Sequence, residues 1–352
     1  MEIRKKINKA LEYIVDSFNF STYDLSGCEH IEDIRELKNY VNLHTLNISR
    51  CKYLEDISVL NTCTYLHTFN LSHCLSLDDI SILDKCVNLN TLNLSGWNYL
   101  DINDISIIGK CIHLHTLIIT DVEGLTDMSE LGGCINLLNL RLSSCVDLTN
   151  ISGLNTCVNL CNLDLSNCII LEDISALSEC KNLRVLDLSG CESLVDISML
   201  SECENLHVLD LSKSDNIDDI KVLSECENLR VLNLSHTIEF DDISIISKCI
   251  NLHTLIITDV SELYDISPLG GCINLHSLSL SSCIDLTNIS GLNTCTNLHT
   301  LNLSNCINLE DISVLSNFTN LCNLFILGCV KINDISVLRD LDNLKNIYYK
   351  KS

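Results

Sequence analysis

Proline is almost missing from this chain: Pro268 is the one proline in 352 residues. Aromatic residues are scarce as well, at 5%, while hydrophobic residues reach 46%. A core therefore has to be built from aliphatic side chains, and their abundance excludes a disordered chain. Bases are few, 22 against 47 acids, and the formal net charge is -25. That sign disfavours a protein that coats nucleic acid phosphates or an anionic membrane surface. No run of about 18 apolar residues occurs, so no membrane-spanning helix is expected. The opening MEIRKKINKALEYIVDSF lacks a continuous apolar stretch and a small-residue cleavage site, so it does not read as a signal peptide. The expectation is a cytoplasmic protein in a reducing compartment.

Cysteine, by contrast, is abundant, with 22 residues. A disulfide framework is a device of short secreted chains, and the spacing here has another meaning. From Cys51 the intervals run 12, 11 and 12 to Cys63, Cys74 and Cys86, so a pair of cysteines returns every 23 residues. Aligned on that period the chain reads LxxLxLSxCxxLxDISxLxxCxN, with first leucines from Leu43 and Leu66 through Leu298 and Leu321. Every step is 23 residues except Leu89 to Leu114, which is 25 through an insertion within WNYLDINDIS. A degenerate unit starts at Phe20 and a broken one at Leu344. The expected organisation is an amphipathic capping helix at 1–19, fourteen repeats over 20–343, and a closing strand and tail at 344–352.

Elementary physics folds each unit. In LxLS the apolar residues alternate, so positions 4 and 6 face inward while 3, 5 and 7 face outward, as in a half-buried strand. In DISxLxxC the apolar spacing of three is that of a 3₁₀ turn, and the aspartate can cap its free amides. Positions 1, 4, 6, 9, 12, 15, 18 and 21 then face the interior. One such coil cannot bury itself, but a stack builds a continuous core. The expected class is α/β: a curved solenoid with a parallel sheet roughly 65 Å wide on the concave face, at a strand spacing of about 4.8 Å, and short 3₁₀ turns on the convex face. Its open ends need lids. Ile3, Ile7, Leu11, Ile14 and Phe18 share one face of a helix that would serve as the first.

These residues resemble the signature of leucine-rich repeat proteins, and the resemblance covers all but the first 19 residues or so. DISPLGGCINLHSLSLSSC is similar to the short repeats of the internalin and phosphatase-regulator type. Cysteine at position 9, where that class has asparagine, resembles the cysteine-containing repeats of ubiquitin-ligase adaptors. NLHTLNLSNC also resembles repeat proteins of large DNA viruses. The resemblance implies a non-enzymatic scaffold that binds another protein on its concave face. The alternatives are an adaptor or regulatory subunit of a phosphatase or ubiquitin ligase complex, and an exported internalin-like adhesin.

No catalytic constellation stands apart from the repeat, no Gly-rich phosphate loop follows a strand, and no C-x₂-C pair suggests zinc. No enzyme activity, cofactor or metal is expected. The two cysteine columns read as small core residues, since Trp97, Val122, Val260 and Phe318 replace cysteine within them. The aspartates of DIS read as turn caps, because Asn150 and Asn288 stand in for them. Histidine recurs at position 2, at His44, His67, His115, His207, His253, His276 and His299, but alternates there with Asn90, Leu138, Arg184 and Cys322, as a tolerant surface position does.

The outward strand positions are more informative. Position 5 is more often asparagine than any other residue, but Asp164, Asp187 and Asp210 fall on three consecutive strands. Like charges opposed across a sheet are destabilising, so this column needs either compensation or a partner. Arg141, Arg184, Lys213 and Arg230 could neutralise it locally. Ile118, Ile256 and Phe325 are apolar candidates on the same face. A further sign is that residues 111–168 match 249–306 at 44 of 58 positions, a duplication of six units. Six of the fourteen differences fall at positions 2, 3 and 5 of two adjacent strands, where a partner would touch. The expected partner is another protein with a basic surface, bound by a monomer, with no nucleic acid and no membrane.

Overall fold

A computed structural model describes residues 21–97, 100, 102–237 and 243–349. The capping helix expected at 1–19 lies outside the described residues. Fifteen three-residue strands, β1 (Thr22–Asp24) through β15 (Asn346–Tyr348), form one open parallel sheet in the order of the sequence. The register never slips: Leu163 aligns with Leu186 and Leu186 with Leu209. We number the coils from the unit at Phe20, so coil 8 begins at Leu183. Its Leu183, Leu186, Leu188, Cys191, Leu194, Ile197, Leu200 and Cys203 are all buried, which are the eight positions expected to face inward.

Most coils close with a 3₁₀ turn such as Ser58–Thr62 or Ser198–Glu202. The 25-residue coil differs, carrying helix α1 (Ile102–Gly109) instead. Eight α-helical residues span about 12 Å and five 3₁₀ residues about 10 Å. Two extra residues are thus absorbed as tighter winding, and the strands on either side keep their pairing.

The DIS aspartates cap as expected, from a position two residues before the amide they bind. Ser58 N–H donates to Asp56 Oδ1 at 2.7 Å, and Ser198 N–H to Asp196 Oδ1 at 2.7 Å. Asn150 serves in the same way through Ser152 N–H at 2.9 Å. The Ser58 side-chain and backbone donors hold the Asp56 carboxyl below its ordinary range. A depressed folded value contributes stability that is present above the unfolded value of about 3.9 and lost as pH falls through the folded one. Asp56→Ala is expected to cost about 1 kcal/mol in urea unfolding at neutral pH, with the difference from wild type shrinking in acid. A pH-independent difference would rule out a cap that works through its charge.

Two ladders tie coil to coil. In eight coils the position-9 thiol donates to the position-6 carbonyl of the preceding coil, as Cys74 Sγ does to Ile48 O at 3.1 Å and Cys306 Sγ to Leu280 O at 3.0 Å. Trp97 Nε1 and Ser214 Oγ make the same bond, to Leu71 O and Leu188 O. Position 9 is therefore a buried donor site as well as a packing site, which the apolar substitutes Val122 and Val260 had obscured. Asparagines at position 23, such as Asn182, donate to the position-22 carbonyl of the coil before, here Val158 O at 2.9 Å. At position 8 the backbone of every coil from Gly27 to Gly328 turns through positive φ, and ten of the eleven described non-glycine residues with that sign lie in this row.

Candidate interaction surface

The outward face of the sheet is built from a local turn that the sequence repeats. At position 5 an asparagine or aspartate accepts the N–H of the serine two residues on, which ends the strand and starts the bend. Asn47, Asn70, Asn93, Asn233 and Asn302 do this at 2.9 to 3.1 Å. Asp164, Asp187 and Asp210 bind Ser166, Ser189 and Ser212 N–H in the same way, and each also accepts the serine hydroxyl at 2.6 Å. The position-5 side chains are thus structural before they are functional. The regular pairing of Asn or Asp with Ser two places later was the available signal.

The three aspartates lie in direct register on β7 (Asn162–Asp164), β8 (Val185–Asp187) and β9 (Val208–Asp210). Their outer oxygens fare differently. Asp164 Oδ2 takes Arg141 Nε at 3.2 Å, and Asp210 Oδ2 takes Asn233 Nδ2 at 2.8 Å. Asp187 Oδ2, between them, carries no hydrogen bond among the described residues. Burial pushes the Asp187 carboxyl above its ordinary range, the Ser189 donors oppose that, and the charges of Asp210 and Asp164 add to it. The sign for stability follows: protonation of Asp187 favours the fold, a contribution complete below the unfolded value of about 3.9 and lost as pH rises through the raised folded one.

Of the four bases expected to neutralise the column, Arg141 alone does so. Arg184 and Arg230 stand at position 2, outside the start of the strands, and Lys213 at the position-8 bend beyond their ends. All three are exposed, and none forms an ion pair among the described residues. They flank the column on both sides. Ile118 and Ile256 are half-buried between polar neighbours in the sheet. Phe325 is half-buried too, its ring stacked on Tyr348 with centroids 4.5 Å apart. These apolar residues therefore form no single patch with the aspartates.

The position-2 histidines also stack. His253, His276 and His299 form a column with centroids 5.1 and 5.2 Å apart. Each Nδ1 lies 2.7 Å from the carbonyl two residues before it, which fixes the ring edge-on. Parallel rings of this kind present no convergent lone pairs, and no group of three or more His, Cys, Asp or Glu among the described residues could hold a metal ion.

Residues 181–225 match the family described as Leucine Rich repeats (2 copies). No curated protein matches the sequence. Among solved structures, the chain is similar to an internalin, InlF of Listeria monocytogenes, at 24% identity and a TM-score of 0.64, over 76% of this chain and 83% of that one. It is similar to a leucine-rich repeat protein of Leptospira interrogans at 18% identity and a TM-score of 0.66, over 96% and 97% of the two chains. It also resembles TLR13, solved in complex with ssRNA13, at 24% identity and a TM-score of 0.70, over 88% of this chain and 47% of that one. At these identities the likeness is one of fold. The repeat match, the single parallel sheet and the intervening 3₁₀ turns together fit the fold of a cysteine-rich leucine-rich repeat solenoid.

Proposed function

We propose that this chain is a non-enzymatic, cytoplasmic scaffold that binds a protein partner across the outward face of coils 6 to 11, with a basic group of the partner seated on Asp187. The observation that carries this reading is Asp187 Oδ2, an oxygen of a half-buried carboxylate that has no donor among the described residues and lies between two charged neighbours. A cation placed there satisfies the oxygen and relieves the repulsion of Asp164 and Asp210. Arg184, Arg230 and Lys213 around the column would hold acidic groups of the partner, so a partner of uniform charge is disfavoured. The repeat body from 20 to 338 carries 42 acids and 14 bases, which supports a protein with a basic surface over a phosphate backbone and would speed its approach.

The test uses the asparagines already present at position 5. Asn accepts the serine N–H in five other coils, so replacing Asp164, Asp187 and Asp210 by Asn keeps the bend and removes the charge. Affinity capture with the intact chain identifies the partner, and calorimetry compares the two forms. The triple variant is expected to bind more weakly by over about 1 kcal/mol, with an unchanged melting temperature. Equal affinity in the two forms would place the partner elsewhere on the chain.

A further inference from the structure

We propose that coils 2 to 4 hold a separate oxyanion site, in which a phosphate group, free or carried as a monoester, sits between Arg50 and His73 above the hydroxyls of Ser49 and Ser72. These residues line one cleft at the rim of the sheet, together with Ser26, Gly27, Asn47, Asn93 and Ser95. The proposal does not depend on the partner assigned to Asp187, which is five coils away.

Four observations converge on this cleft. First, Arg50 and His73 are neighbours in the position-8 row, and neither side chain has a hydrogen bond or ion pair among the described residues. Second, the floor is neutral: position 5 is Asn47, Asn70 and Asn93, and position 7 is serine throughout. Third, the hydroxyls are free to donate. Where position 5 is aspartate the serine hydroxyl is spent on it, as in Ser212 to Asp210 at 2.6 Å, but the Ser49 and Ser72 hydroxyls donate to no described residue. Ser72 is more than nine-tenths buried and still lines the cleft. Fourth, Gly96 makes room for the imidazole, since a Cβ at that position would overlap the His73 ring.

The acid nearest the cleft along the sheet is Asp24, at position 5 of coil 1. Its carboxylate is already held by the Ser26 hydroxyl, by Ser26 N–H at 2.8 Å and by Asn47, which keep its pKa below the ordinary range. On the far side a Cβ at Gly27 would meet nothing within 4 Å, so the alcohol portion of an ester has an exit. A guanidinium, an imidazole, two hydroxyls and a lining free of carboxylates suit a tetrahedral oxyanion, whose oxygens need donors from several directions.

The chain contains its own control. Lys213 and His236 occupy the same two consecutive positions in coils 9 and 10, but there His236 Nε2 lies 3.6 Å from Asp259 Oδ2, and Asp210 lies on the adjoining floor. An ion merely screening surface charge would visit both pairs. A built site would favour the first.

The experiment is an NMR titration of the whole chain at constant ionic strength, with sodium phosphate, O-phosphoserine and acetate as probes. Saturable shifts at Arg50 and His73 under phosphate, with Lys213 and His236 unmoved, are the expected result. Arg50→Asn with His73→Asn should weaken phosphate binding at least about tenfold, the effect of one lost charge-assisted contact. Asn is accommodated in this bend at Asn167 and Asn305, so the double variant should fold, which its unchanged melting curve would confirm. O-phosphoserine binding as tightly as phosphate identifies an esterified ligand; phosphate alone identifies a free ion. Linear shifts shared by Arg50–His73 and Lys213–His236, acetate matching phosphate, or a double variant that binds normally would each overturn the site.

Discussion

Leu186→Ala is expected to destabilise the protein by about 3 kcal/mol, the middle of the range for leucine truncation in a packed core. Leu186 is fully buried, and in register it packs between Leu163 and Leu209, each also buried. A solenoid coil touches only its neighbours, so the void cannot be closed from a distance and the coils on both sides lose contact surface. Position 4 of the last described strand is the counterpart: Ile347 is 46% exposed. Ile347→Ala should therefore cost under about 1 kcal/mol. Urea unfolding of the two variants measures the difference. Equal costs would mean that burial in the stack does not set stability. A drop in the urea m-value for Leu186→Ala would show that the array has split into two cooperative blocks at coil 8.

The second large effect is in thiol reactivity. Nineteen of the 22 cysteines are buried, and Cys28, Cys161 and Cys322 are partly exposed. Burial pushes the Cys145 and Cys191 thiols up to about 12, from an ordinary 9.0. Three pH units lower the thiolate fraction about a thousandfold, and the thiolate is the reactive form. With a disulfide reagent at pH 8 the native protein should show about three fast thiols and a remainder that waits for unfolding. In denaturant about 22 should react, consistent with the reducing compartment proposed for the chain. Prompt labelling of most thiols in the native state would contradict the buried columns, and a shortfall in denaturant would reveal disulfides.

The two effects share a cause in the stack, yet they test different parts of it. Leucine truncation probes packing between strands. The thiols probe the columns behind them, where eight position-9 sulfurs also donate across coils.

Much of this molecule was legible in one dimension. The period of 23 fixed which residues face inward, because alternation in LxLS and threefold spacing in DISxL are local consequences of strand and 3₁₀ geometry. Capping by Asp56 or Asn150 was equally local, reaching two residues along the chain. What only the tertiary structure decided are relations between residues 23 to 26 positions apart. Whether Cys74 meets Ile48 O, whether Arg141 rather than Arg184 reaches Asp164, and whether Asp187 Oδ2 is left over all depend on how one coil is laid on the next. The same holds for the cleft at Arg50 and His73, where Gly96 in the following coil leaves space for the His73 ring. A periodic sequence states the shape of a coil in every repeat. The chemistry of its surface lies in the departures from the repeat, and a departure gains meaning from the neighbour that the stacking register sets beside it.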